Sequence, residues 1–521
     1  MKKLLTAFAG CMVLAVAPIA SSAEANRELK MAYDADPVTL DIHEQLSGGV
    51  VQLSHMTFDP LLRWTRNLEF EPRLAESWER IDDRTLRFHL REGVKFHSGN
   101  LLTSEDVRFT FDRLKQSQDY KGIFKPFTEL RVIDDHTFEL VTSEAYPLAL
   151  NAATYIFPMD KAFYSGTDEE GRDKSEISKQ GSTFASRNQS GTGPFRVTSR
   201  QQGVRVEFER FADYWDENSP GNVGKVVLTP IKENNTRVSA LLSGGVDFIA
   251  PVPPTDLERI KQDPDASLVT MSGTRIILFQ LNQKRFEPFQ DVRVRQAVAH
   301  AINQEGIAAK IMKGFATPAA QLSPAGYQGH NETLKPRYDV AKAQALMKEA
   351  GYEDGFTITL MAPNNRYVND AKIAQAVASM LSRINIKVNL KTLPKAQYWP
   401  EYDKRSGDMM MIGWHADTED SANFYEFLTM CPSEETGIGQ YNAGNYCNPV
   451  IDAMVNEANS ETDPVKRTAM LQEIEKRLYD DAAFAPLHWQ DLAWASRKNV
   501  IIEPVLNVMN FPYLGDLVIE D

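Results

Sequence analysis

The sequence predicts an α/β fold that carries a separate α+β lobe, a mixture that leaves a cleft between lobes. Three observations lead there. Strand and helix patterns alternate after Pro254, hairpin patterns dominate the earlier half, and 521 residues are too many for one ordinary core.

Taken in chain order, Lys2 and Lys3, the apolar run Leu4–Ala20 and the small residues Ser21–Ala23 form a secretory leader cut before Glu24. Apolar residues continue past Cys11, which argues against lipid attachment there. Leu29–His43 reads as a strand and a Pro-containing turn. "RIDDRTLRFHL" (Arg80–Leu90) and "VIDDHTFELV" (Val132–Val141) share one plan: strand, Asp-Asp turn, strand opening with Thr. Leu86, Phe88 and Leu90 alternate with polar residues, the period of a half-buried strand. Between the hairpins, Thr103–Leu114 is a helix with Thr103 as cap, Asp106 three residues on, and Val107, Phe111 and Leu114 as its apolar stripe. The polar stretch Tyr164–Ser190 is a long connection, and "GTGPFRV" (Gly191–Val197) opens a strand after a tight turn.

"TRIILFQLN" (Thr274–Asn282) is a near-continuous apolar run, the mark of a strand covered on both faces. Asp291–Asn303 and Asp339–Gly351 are helices with Asp caps, the second stopped by Gly351. "FTITLMAP" is a strand, Asp370–Ile384 a helix with Ile373, Val377, Met380 and Ile384 on one side, and Ile386–Leu393 a strand.

Composition narrows the function. Removing residues 1–23 takes away two lysines and no acid, so the net charge of −14 becomes −16. An acidic exported chain is a poor partner for nucleic acid. With Cys11 gone, Cys431 and Cys447 remain, 16 residues apart, and in an oxidising compartment they form a disulfide. A metal site there would need more Cys or His at short spacing, and the nine histidines are scattered. HExxH, GxSxG, Walker and GxGxxG motifs are absent, which favours binding over catalysis.

Several stretches in correct order resemble one family, the periplasmic solute-binding proteins for dipeptides, oligopeptides and nickel that serve ABC importers. They are "TFDPLLRW" (Thr57–Trp64), Leu74–Leu114, "GTGPF", "RVSALLSGGVDF" (Arg237–Phe248), "DVRVRQAVAHAIN" and "DVAKAQALMKEAGY". The usual Phe-His-Asp-Gly of the second stretch is Phe96-His97-Ser98-Gly99 here. The resemblance implies a two-lobed periplasmic-binding-protein fold with an additional α+β domain, three structural domains in all. Lobe I would use residues 24–57, 192–272 and 487–521, the extra domain 58–191, and lobe II 273–486.

The resemblance also implies site residues. "GWHADTEDSANF" (Gly413–Phe424) matches a motif in which an acid holds a peptide's amino terminus. Asp420 is the expected anchor, with Asp417 in reserve, because a buried ammonium needs a carboxylate. Ser421 and Ala422 stand where relatives place a proline. Trp414 would pack on the ligand or cover its cation. Arg366 sits where dipeptide binders grip the ligand carboxylate, which suits its two-pronged geometry, and Tyr367 would line the same pocket. A surface arginine before a helix, and acids on a solvated loop, are the plainer alternatives. The Asp34–Asp41 loop would bond the ligand backbone.

The expected partners are a small peptide and an ABC permease in the inner membrane, met by a periplasmic monomer. No metal or cofactor is expected. An oligosaccharide, with Tyr398, Trp399 and Trp489 as platforms, an opine-like compound or a nickel chelate beside His415 are rival solutes. An exported hydrolase is the rival from another class.

Overall fold

The computed structural model describes residues 26–521 except 35–38, 45–47, 179–181, 365, 417 and 434–436. The leader over 1–23, much of the Asp34–Asp41 loop and the reserve acid Asp417 therefore lie outside the described residues.

One sheet of eleven strands runs through both lobes. Its centre is an antiparallel pair of long strands, Ala266–Leu281 and Phe484–Arg497. On one side the sheet continues through Phe248–Ala250, Arg27–Tyr33, Val223–Pro230, Arg205–Arg210 and Phe195–Gln201. On the other it continues through Met409–Trp414, Phe356–Pro363 and Ile386–Leu393. The short strand Thr317–Pro318 adds to Phe484–Arg497. Parallel neighbours sit in both halves, Arg27–Tyr33 with Val223–Pro230 and Phe356–Pro363 with Ile386–Leu393, as α/β lobes require.

Side-chain alternation explains the apolar run in the first long strand. Ile276 and Leu278 enter one hydrophobic cluster, while Ile277, Phe279 and Leu281 enter the cluster on the opposite face. A strand buried on both faces has no polar side to show. The expected helices form with their Asp caps. Asp291 accepts from the Arg293 N–H and Asp339 from the Lys342 N–H. Gly351 takes the left-handed conformation at φ +84° that ends the second helix.

The two echoed hairpins build one four-stranded sheet in which Thr85–Leu90 and Thr137–Thr142 pair at the centre. Both turns use the same chemistry. The Asp82 carboxylate accepts from the Arg84 N–H at 2.8 Å, and the Asp134 carboxylate from the His136 N–H at 2.9 Å. Phe88 faces Phe138 across the pair, with ring centroids 5.2 Å apart. The helix between the hairpins spans Ser104–Gln116, and Asp106 reaches back to accept from the Thr103 N–H at 2.9 Å.

The glycines of "GTGPF" answer to backbone proximity. A Cβ on Gly191 would lie 2.1 Å from the Thr57 carbonyl oxygen, and one on Gly193 would lie 2.5 Å from the Phe58 nitrogen. Cys431 and Cys447 are joined in a disulfide. It closes a loop that packs beside the helix Pro449–Ala458, where the Cys431 N–H donates to Asp452. Replacing both cysteines by serine is expected to destabilise the fold by about 3 kcal/mol, the chain entropy of a loop this long. Chemical denaturation of the oxidised protein and the double variant measures it.

Candidate functional site

The strand Met409–Trp414 ends at Trp414, and the helix Ser421–Leu428 begins seven residues later. The loop between them holds most of the acids singled out in the sequence. Asp420 caps the helix and accepts from the Ala422 N–H at 2.9 Å. Its two carboxylate oxygens also take a bidentate pair from Arg467, both at 2.7 Å. The side chains are only 4% and 2% exposed. Arg467 also donates to the Ala458 carbonyl and the Gln328 side chain. Asp420, expected to hold an amine, is thus turned inward. Three donors occupy its carboxylate, and an N-cap must face its own helix.

Glu419 is buried too, at φ +51°. The Tyr327 hydroxyl donates to one of its oxygens, and His415 Nε2 lies 3.0 Å from the other. Burial first, then the Glu419 charge, pushes the Tyr327 hydroxyl well above the usual phenol range, so it stays a donor. His415 Nδ1 pairs with the Thr274 hydroxyl at 2.8 Å. His415 thus bonds Thr274 through one ring nitrogen and faces Glu419 with the other. Among the described residues, no group of three or more His, Cys, Asp or Glu is arranged to hold a metal ion.

Thr274 belongs to an irregularity in the central pair. Ser272 faces Asp491, but the next registered pair is Ile276 with Trp489. Gly273, Thr274 and Arg275 therefore share the space opposite Gln490. Gly273 is required there, because a Cβ would lie 2.5 Å from the Gln490 carbonyl oxygen. Thr274 reaches His415, and Arg275 turns into a pocket.

That pocket has a volume of about 410 Å³, within the range of small-ligand sites. Arg275, Arg366, Tyr367, Trp399, Trp414, His415 and Tyr441 line it, together with Asp403, Ile412 and Gly413. Three residues chosen from sequence thus meet on one cavity: Arg366, Tyr367 and Trp414. Asp370 sets the first two by accepting the N–H groups of Arg366 and Tyr367 at 2.9 and 3.0 Å. The Tyr367 hydroxyl accepts from the Gly413 N–H at 2.8 Å, which fixes its ring beside the strand end. Trp414 donates to Asn423 at 2.9 Å and packs its ring 4.7 Å from that of Tyr441. Arg366 is exposed, its guanidinium 5.0 Å from the Tyr367 ring centroid, and no carboxylate among the described residues pairs with it. Of the aromatic platforms, Trp399 reaches the pocket. Tyr398 and Trp489 are core residues, bonded to the Met411 and Leu322 carbonyls.

A second hollow of about 740 Å³ lies between the hairpin-bearing domain and the opposite lobe. Glu144, Tyr146 and Leu148 line one side, and Thr418, Asn423 and Phe427 the other. The lobes touch beside it, where the Asn151 amide donates to the Thr418 carbonyl at 2.9 Å. The anchor loop therefore meets the central pair through His415 and the other lobe through Thr418. Asp41, from the loop expected along a ligand backbone, is buried against Arg113 instead, with its oxygens held at 2.7 and 2.5 Å.

The comparisons accord with this architecture. Residues 69–434 match the family described as "Bacterial extracellular solute-binding proteins, family 5 Middle". The chain belongs to that family of extracellular solute-binding proteins. A dipeptide-binding protein of Escherichia coli is 30% identical over 444 residues, 80% of each chain. A di/tripeptide-binding protein of Pseudomonas aeruginosa is 29% identical over 460 residues, 82% of each. The fold matches that of an ABC transporter-associated periplasmic binding protein of Helicobacter pylori in complex with the peptide STSA, with a TM-score of 0.73, 24% identity, and 95% and 98% of the two chains covered. No helix among the described residues is long and apolar enough to cross a membrane.

Sequence reasoning missed Arg275, Tyr327 and Asn151. Arg275 alone left a signal, as a charge inside an apolar strand pattern. The Asp420–Arg467 pair makes a direct prediction. Asp420→Ala strands a buried guanidinium and should destabilise the fold by about 3–5 kcal/mol, as measured by urea unfolding.

Proposed function

We propose that the protein captures a small peptide between its lobes and delivers it to the permease of an ABC importer. Arg366 holds the peptide's carboxylate, and Asp417, the reserve acid of the anchor loop, takes its amino group. The observation that carries the reading is Arg366 itself, an arginine without a carboxylate partner among the described residues, on a cavity walled by Tyr367, Trp399 and Trp414. A guanidinium so placed suits a ligand carboxylate, and the aromatic walls suit side chains or ring faces. The amine falls to Asp417 because Asp420 is committed to Arg467, and Glu419 to Tyr327 and His415.

The domain division at 57/58, 191/192, 272/273 and 486/487 belongs to this reading. The irregular register of the central pair supplies the place where the lobes swing. Ligand contacts to both lobes then stabilise the closed state. The protein works as a periplasmic monomer, without metal or cofactor, and binds rather than cleaves.

Isothermal titration with alanyl-phenylalanine, its C-terminal amide and its N-acetyl form tests the reading. Arg366→Ala should weaken the free dipeptide about tenfold or more and leave the amide little changed, since charged hydrogen bonds contribute about 1.5–3 kcal/mol. Asp417→Ala should weaken the free amine far more than the N-acetyl form. Equal losses for all three peptides would remove both assignments. Release of free amino acids during incubation would replace binding with hydrolysis.

A further inference from the structure

We propose that the hairpin-bearing domain is a clasp that holds the two lobes together before any solute arrives, with Leu68 as its apolar catch. The clasp goes beyond the peptide reading above and does not depend on which solute is bound.

Three observations carry it. First, half-buried Leu68 packs on a hydrophobic cluster that is not its own. The buried members of that cluster all lie between Ile276 and Trp489, and among the described residues Leu68 is the one hydrophobic packed on it from outside that span. Its seat is Gly326, at φ +95°, where a Cβ would lie 3.0 Å from Leu68 Cδ1. Second, the catch stands on a fixed base. It sits in the turn joining the strands Leu62–Trp64 and Phe70–Pro72, at φ +60°, a conformation uncommon for leucine. The Thr65 hydroxyl accepts from the Asn67 and Glu69 N–H groups at 3.3 and 3.0 Å. Below the turn, Arg63 bonds Glu71 and Asp516, and the Tyr513 hydroxyl donates to the Trp64 carbonyl at 2.8 Å. A turn so held has little freedom left to lose when it meets a partner surface.

Third, polar bonds from the same domain cross to the opposite lobe. The Thr462 hydroxyl donates to the Asp83 carboxylate at 3.3 Å, and the Asn151 amide donates to the Thr418 carbonyl at 2.9 Å. Leu68, Asp83 and Asn151 come from separate parts of the domain, so the grip is spread across it. The catch also bears on the site. Tyr327, next to Gly326, donates its hydroxyl to Glu419, which faces His415 in the pocket wall. Contacts that exist only while the lobes are together stabilise the closed arrangement. A solute that needs that arrangement binds more tightly the larger the fraction of molecules already in it.

The test reads the separation of the lobes with no solute present. Spin labels are placed on Leu101→Cys in the hairpin-bearing domain and Val450→Cys in the opposite lobe, both exposed positions. Cys431 and Cys447 are joined, so in the chain without its leader the labels go to the introduced thiols. Pulsed electron–electron distance measurement should give one short separation in this background. Leu68→Asn removes the apolar catch but accepts the left-handed conformation. It should raise the open-to-closed ratio about tenfold, the scale of losing a half-buried apolar side chain, with circular dichroism unchanged. Leu68→Met, apolar and of similar volume, should keep the short separation. Thr462→Val should raise the ratio about twofold or more, and it decides the matter in either direction if Leu68→Asn does not fold. A distribution in Leu68→Asn that matches the labelled parent overturns the proposal, and so does a parent that is already open. Either result leaves the peptide reading standing, since no solute takes part.

Discussion

The pairing of Ala266–Leu281 with Phe484–Arg497 is the constraint on which the rest of the molecule depends. Each strand contributes one end to each half of the sheet, so both lobes are set by a single register. That register is held by the alternation of Ile276 through Leu281 between two hydrophobic clusters. A slip of one residue would exchange the two faces of the strand. The register shifts between Ser272 and Ile276 and again between Ile277 and Leu278, and the residues displaced at the first shift serve the site. One provides clearance, one holds His415, and one reaches the pocket.

Internal charges divide into two kinds. Asp420 with Arg467, and Asp41 with Arg113, are closed pairs whose donors and acceptors are matched inside the protein. Arg237 is likewise buried, and its guanidinium is spent on the Ile231 and Pro251 carbonyls. Such groups tie segments distant in sequence to one another, and removing one partner leaves an uncompensated charge. Arg366 differs in environment: it is exposed at the edge of a cavity, and no carboxylate among the described residues pairs with it.

Local chemistry is what made much of the fold legible in sequence. The Asp-Asp turns, the Asp caps at 291 and 339 and the stop at Gly351 act within a few residues, so their effect can be read directly. The apolar run at Thr274–Asn282 announced a strand covered on both faces, but its true start at Ala266 was hidden because that end is half-exposed and mixed in polarity. The site was legible only as far as residue type and family resemblance reach. Arg366, Tyr367 and Trp414 come together on one cavity. Asp420 could not be told from a ligand anchor, because the residue that claims it, Arg467, lies 47 positions away. Arg275 was passed over because its flanking residues speak for a core strand.

The disulfide acquires a consequence from its position. The loop closed by Cys431 and Cys447 carries Tyr441, whose ring packs against Trp414 in the pocket wall. Until the two sulfurs are joined, that stretch of wall has a longer tether and a wider range of positions. The disulfide therefore shortens the tether on that stretch of wall, which Gln280 and Tyr402 also hold by donating to the Tyr441 carbonyl.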